Sequence, residues 1–268
     1  MQGPDLPKLF LDVLTPDSRA LLVFFTKCSI PCLRHDLDMA RNKNMTAEYR
    51  QVSPEMKCPV LRYGNIVIDD AIDIMKFFCI KAHQIDESHR IGDLYDLANQ
   101  MEIRQINSTL EKYKRFCASV LGSTYNQLKI PLSPLTSNNV YLFTATEVEQ
   151  MKVFLSLFEK EFLKKEQLAN HTSVAFLIDP DILTIADIYI ICDLANLRLL
   201  GIELQRFPLV YTYISRYFSD SVFMSAHSQF LLFCETKANT IDQNFALKEV
   251  NKKLEERNSQ RQEKRLAN

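Results

Sequence analysis

Between Lys8 and Leu14 the run KLFLDVL alternates apolar and polar positions, the period-two signature of a half-buried strand. A Thr-Pro-Asp-Ser turn follows, then the apolar run ALLVFFTKC, which reads as a helix with Asp17 as its N-cap. It stops before Pro31, which cannot continue a helix. Cys32 to Asp36 fits a second strand, and Arg41 to Ser53 is polar with weak helical character. In CPVLRYGNIVID two short apolar runs flank Arg62-Tyr63-Gly64-Asn65, the signal of a hairpin. Asp69 and Asp70 then stand where a helix N-cap belongs, and AIDIMKFFCIKA places apolar residues on one helical face. The predicted order is β-α-β-α-β-β-α.

After Asp86 the period changes. Leu94, Leu97, Met101, Ile106, Leu110, Tyr113, Cys117 and Val120 recur mostly at steps of three and four, which predicts one long amphipathic helix. Val148, Met151, Leu155, Phe158 and Phe162 repeat the pattern, as do Phe207, Val210, Ile214 and Tyr217, then Val222, Ala226 and Phe230. Thr184-Ile185-Ala186-Asp187 has the spacing of a capping box and opens a helix apolar nearly all round, which belongs at the centre of an all-helical region. Ser123 to Thr146, with two prolines and polar clusters, reads as an extended excursion or loop. From Lys237 the chain is highly charged; Leu247, Val250 and Leu254 supply only about two heptads, short for a coiled coil. The organisation is therefore 1–82 as an α/β domain, 86–236 as an all-helical domain and 237–268 as a charged helical tail.

Composition narrows the function. With 268 residues and 47% apolar content the chain can bury a sizeable core, and 32 Lys+Arg against 33 Asp+Glu leave no global field to draw nucleic acid or anionic lipid. Glycine stands only at 3, 64, 92, 122 and 201, so neither a Walker A loop nor a GxGxxG fingerprint exists. The longest apolar stretch, Ile185 to Ile202, is interrupted by Asp187, Asp193, Asn196 and Arg198 and falls short of a bilayer span. The start, MQGPDLPKLFLDVL, lacks a basic n-region and a long apolar core, which argues against a secretory signal and for the cytosol. Seven cysteines without a CxxC, and five histidines without paired spacing, support neither a disulfide scaffold nor a metal site.

A β-α-β-α-β-β-α unit with a proline opening its third strand, followed by helices, suggests a thioredoxin-like half and a helical half, an α+β arrangement. The run from Leu9 to Ala82 resembles the N-terminal domain of theta-class cytosolic glutathione transferases. DPDILTIADIYIICDL is similar to the capping-box segment of that family, and FPLVYTYISRYFSD to its penultimate helix. The resemblance covers about residues 8 to 235, weakly across the middle, and implies the glutathione transferase fold.

It also implies a site. Thr15 falls where theta-like enzymes place the serine that activates the glutathione thiol; a hydrogen bond donated to a thiolate lowers its pKa, and the thiolate is the nucleophile. Cys58-Pro59 matches the residue and cis-proline whose backbone pairs with the cysteinyl part of glutathione. Asn44 and Lys57 fall at positions that contact its glycyl end, and Asp70-Ala71 where the family has Glu-Ser to hold the γ-glutamyl amine and carboxylate. The implied protein uses glutathione as co-substrate, needs no metal, meets a small electrophile and forms a homodimer. Plainer readings stand beside these: Thr15 as a turn or cap residue with Ser18 as a second candidate hydroxyl, Asp70 as an N-cap, Asn44 and Lys57 as solvated surface.

The departures define a second hypothesis. Asp17 stands where the family has proline, and a carboxylate there opposes thiolate formation; Ala71 has lost the ligand-binding serine, and the chain has no tryptophan. A catalytically decayed protein of the same fold, acting as a binding or assembly module, is the alternative. A disulfide reductase working through Cys28 or Cys32 is a third.

Overall fold

The structure is a computed structural model that describes residues 6–85, 94–95, 99–125, 145–163, 177–178, 182–197, 202 and 204–235. The chain divides into two units, Met1–Gln229 and Phe230–Asn268; in the second, residues 230–235 are helical. All elements named below lie in the first.

Strand β1 (Lys8–Leu11) realises the alternation: Leu9 and Leu11 are fully buried and Lys8 is exposed. It ends three residues sooner than the pattern suggests, because the Asp12 carboxylate accepts a hydrogen bond from the Leu14 N–H and starts a turn. Helix α1 (Pro16–Lys27) is capped by Thr15, whose hydroxyl accepts from the Ser18 N–H, and not by Asp17, which lies in its first turn. Pro16 explains the shift: proline is at home at the first helical position, which leaves the residue before it extended as the cap. Strand β2 (Leu33–Asp36) follows, then two short turns and helix α2 (Ala47–Arg50). Strands β3 (Val60–Tyr63) and β4 (Ile66–Ile68) form the hairpin, and Gly64 takes φ +58° at its first central position, where glycine alone is unstrained. Helix α3 (Ala71–Ile85) completes this half.

The sheet order is β2-β1-β3-β4, with β1 parallel to β2 and the other pairs antiparallel. Lys8 opposes Leu33 across the parallel pair, and Leu9 opposes Leu61 across the antiparallel one. The βαβαββα order of the sequence reading is the observed order.

The helical half contains α4 (Gln100–Leu121), α5 (Ala145–Phe162), α6 (Ile185–Ala195) and α7 (Pro208–Phe218), with 221–229 also helical. Ile106, Leu110, Tyr113, Cys117 and Leu121 form the buried stripe of α4, whereas Met101, in the first turn of that helix, is exposed. Every residue of α6 is buried, as its all-round apolar sequence requires, and it packs against α1, α3, α4 and α7. Its start is satisfied by a capping box. The Asp187 carboxylate accepts from the Thr184 N–H and hydroxyl, from the Leu177 N–H, and from the Tyr213 and Tyr217 hydroxyls. One hydrophobic core runs through α1, α3, α4, α5, α6 and α7. Of the segment Ser123–Thr146, residues 123–125 and those from Ala145 are helical; 126–144, and the tail from Lys237, lie outside the described residues.

Candidate functional site

The turn between β1 and α1 is wound tightly by its own polar groups. Asp12 is buried, and its carboxylate accepts from the N–H groups of Leu14, 2.8 Å away, and Met39, 2.9 Å away. Burial pushes its pKa up, more than those two hydrogen bonds pull it down. Thr15 is buried as well. Its hydroxyl oxygen lies 2.9 Å from the Asp12 carbonyl oxygen and 2.6 Å from Ser18 Oγ, so its single proton is held within the turn. Ser18 Oγ in turn accepts from the Asp12 N–H at 3.1 Å and stands 3.8 Å from Cys58 Sγ.

Arg19, one residue on, is fully buried. It donates to the carbonyls of Val13 and Leu14 at 3.0 and 2.9 Å, and on its other side to the Cys192 carbonyl at 3.4 Å and to Asn196 Oδ1. The guanidinium thus ties the turn that carries Thr15 to the C-terminal end of α6. Arg19 belongs to no motif in the sequence; a lone basic charge at the head of the apolar run ALLVFFT is the signal that marks it.

The second stretch is the loop into β3. Asn44 is buried and donates to the Met56 carbonyl at 3.0 Å, the Tyr49 hydroxyl donates to the Lys57 carbonyl at 2.6 Å, and Ser53 Oγ accepts from the Lys57 N–H at 3.0 Å. These bonds hold the backbone that leads into the Cys58–Pro59 peptide, which is cis. The Lys57 side chain is exposed, with its ammonium 2.6 Å from Glu55 and 3.6 Å from Asp69. Asn44 is therefore an anchor of this loop, while Lys57 reaches solvent.

The third stretch opens α3. Asp70 Oδ1 accepts from the N–H groups of Ile72, at 2.8 Å, and Asp73, at 3.1 Å, so Asp70 is the N-cap. Its other oxygen, Oδ2, lies 3.5 Å from the ammonium of Lys114 on α4. Ala71, behind it, is buried.

Direct contacts chain these stretches together: Thr15 to Ser18, Ser18 to Cys58, Lys57 to Asp69, and Asp70 to Lys114. The Cys58 thiol reports the local electrostatics. Burial pushes its pKa up to about 12, the Ser18 hydroxyl pulls it down, and the charges of Asp12 and Asp17 push it up again. A sulfur anion near this point is helped by Ser18 and opposed by the two carboxylates. Cys28 and Cys32, the candidates for a reductase, are raised by burial, Cys28 to about 12, so neither is an activated thiol. Among the described residues no group of three or more His, Cys, Asp or Glu is placed to hold a metal ion, and no helix is long and apolar enough to cross a membrane. Val13 lines a partly open pocket of about 100 Å³ with Leu22, Thr26, Arg34, Val222 and Gln229, to which none of the sequence-predicted site residues contributes.

No protein-family model matches the chain. It is 23% identical over 176 residues to glutathione S-transferase theta-1 of Bos taurus, covering 64% of this chain and 69% of that protein. Against glutathione S-transferase theta-1 of Homo sapiens the identity is 24% over 193 residues, covering 70% and 72%. Among solved structures, the human theta-class glutathione transferase in complex with the glutathione conjugate of 1-menaphthyl sulfate superposes with a TM-score of 0.66 at 21% identity, covering 88% of this chain and 91% of that one.

Proposed function

We propose that this chain, which has the glutathione transferase fold and is related to the theta-class enzymes, binds glutathione and transfers its thiolate to electrophilic apolar substrates. The observation that carries the reading is the chain of contacts that runs from the Thr15 turn through Ser18 to Cys58, before the cis Cys58–Pro59 peptide, and from the neighbouring Lys57 to Asp69, beside Asp70. In this reading the Cys58 backbone pairs with the cysteinyl part of the peptide, and Lys57 serves its glycyl end from the loop that the buried Asn44 holds in place. Asp70 takes the γ-glutamyl amine, while the dipole at the N-terminus of α3 favours negative charge nearby. Thr15, with Ser18 bonded to it, supplies the hydroxyl that stabilises the thiolate. Attack of that thiolate on the electrophile is then nucleophilic substitution or addition within one bound complex, accelerated by positioning. A cytosolic homodimer is part of the same proposal, by resemblance.

A second reading, a glutathione-binding module without turnover, is favoured by one specific feature. The Thr15 proton is engaged inside its own turn, and the charges of Asp12 and Asp17 lie close enough to oppose a sulfur anion. Passing the purified protein over immobilised glutathione, then assaying conjugation of a model electrophile by wild type and Thr15→Ala, decides between them. Retention with turnover that falls at least tenfold in Thr15→Ala supports the transferase. Turnover retained in the variant removes Thr15 from the mechanism, retention without turnover selects the module, and loss of both ends the glutathione reading.

A further inference from the structure

The Lys114–Asp70 contact is an ion pair between two half-exposed side chains brought together from α4 and from the start of α3, 44 residues apart in sequence. Lys114 sits one position beyond Tyr113, at the edge of the buried stripe of α4, and its ammonium also lies 5.9 Å from the centre of the buried Tyr189 ring on α6. The stem is thus laid along the helical half with its charge delivered to the Asp70 carboxylate. The Asp70 carboxylate is divided: Oδ1 is spent on the helix cap, and Oδ2 faces the cation. An ammonium and a carboxylate side by side, both open to solvent, present the inverse of the charge pattern of an α-amino acid headgroup.

Resting on the glutathione reading above, we propose that Lys114 binds the α-carboxylate of the γ-glutamyl residue, while Asp70 Oδ2 exchanges its contact with Lys114 for one with the α-ammonium. Three features of the structure favour this exchange. Ala71 offers no hydroxyl to a carboxylate at this helix start, so an anion there needs another donor. Lys114 is flexible and only about half exposed, so moving its ammonium by an ångström or two from Asp70 to a neighbouring carboxylate needs no backbone change. The swap also conserves charge: one ammonium–carboxylate pair in the free protein becomes two alternating pairs in the complex. Recognition of the headgroup is then shared between the two halves of the molecule, with the cation supplied by a helix outside the thioredoxin-like unit. The selectivity that follows is for an intact zwitterionic headgroup, not merely for an anion.

The test compares two ligands on three proteins by isothermal titration calorimetry: reduced glutathione, and 4-aminobutanoyl-cysteinyl-glycine, which is glutathione without the α-carboxylate. In wild type, glutathione binds tighter than the truncated ligand. In Lys114→Gln the glutathione Kd rises about five- to twenty-fold while the Kd of the truncated ligand changes less than twofold, and Lys114→Arg restores most of the difference. Far-UV circular dichroism melts, expected to coincide for the three proteins because the side chain is at the surface, guard against misfolding. Glutathione affinity unchanged in Lys114→Gln, or weakened equally for both ligands, overturns the role of Lys114 while leaving glutathione binding intact. Failure of wild type to bind either ligand overturns the glutathione reading itself and this inference with it.

Discussion

Asp17 stands in the first turn of α1, where it suits the helix dipole but adds a negative charge beside the Ser18–Cys58 contact. Its removal is the direct way to measure that opposition. In Asp17→Asn the acid limb of the conjugation pH–rate profile moves to lower pH by about a few tenths of a unit, because one charge at short range through partly solvated surroundings shifts a thiol by that order. A profile that does not move shows that the Asp17 charge is not felt by the reacting thiolate. Cys58 itself, pushed up to about 12, is a thiol throughout the neutral range. Iodoacetamide at pH 7.5 therefore leaves it largely unmodified in the native protein and labels it on denaturation, as peptide mass mapping reads. At this scale the sequence was legible wherever a residue acts through its place in a local motif: Thr15 before Pro16, Pro59 after Cys58, Asp70 at a helix start. It was not legible for Arg19 or Lys114, nor for the bond by which Asn44, a position the resemblance had marked, anchors its loop. What those side chains bind, at positions 13, 14, 192, 196, 56 and 70, is mostly distant in sequence and carries no pattern that names them.

The helices show how caps couple to pH. Burial pushes Asp220 up, but the Lys27 ammonium, 2.6 Å away, and the N–H groups of Val222 and Phe223 outweigh it and hold its carboxyl below the usual range. A folded pKa below the unfolded one contributes stability above the unfolded value, near 4, and loses it as pH falls through the folded value. Asp220→Asn accordingly lowers the urea midpoint at pH 7, and its difference from wild type shrinks progressively as pH falls below about 4. Asp187 has the opposite sign. Burial raises its pKa despite five side-chain and backbone donors, so its ionisation lowers stability as pH rises from the unfolded value through the folded one. Ionised or not, it is the acceptor for Leu177, Thr184, Tyr213 and Tyr217. Removing it in Asp187→Ala leaves those donors unsatisfied and costs about 3 kcal/mol or more, against about 1 kcal/mol for Thr184→Ala, both measured by chemical denaturation. The Thr-x-x-Asp spacing foretold the box; the two tyrosines that join it come from α7 and are invisible to a local motif. The Asp17 cap failed for a related reason, since Pro16 already fixes where the helix begins.

Across the whole molecule, α6 is buried on every side and packs against α1 and α3 of the thioredoxin-like half as well as α4 and α7 of its own. The two halves therefore share one core and unfold together. Tyrosine fluorescence, the natural probe in a chain without tryptophan, and far-UV circular dichroism give coincident urea transitions; residues 1–85 expressed alone lack a cooperative melt. Two separated transitions would show that the shared core is not what holds the halves. The β-α-β-α-β-β-α order and the all-helical continuation were readable because periods of two and of three to four are local properties, whereas the packing of α6 onto α1 joins segments some 170 residues apart. Arg19 gives that packing a genetic corollary. The turn bearing Thr15 takes its shape partly from carbonyl and amide oxygens at 192 and 196, so a chimera that grafts a foreign helical half onto this α/β half inherits a misfitted turn unless those partners travel with it. Recombination at the junction between the halves is thereby constrained, and the best-tolerated crossovers are those that keep Arg19 and Asn196 from the same parent.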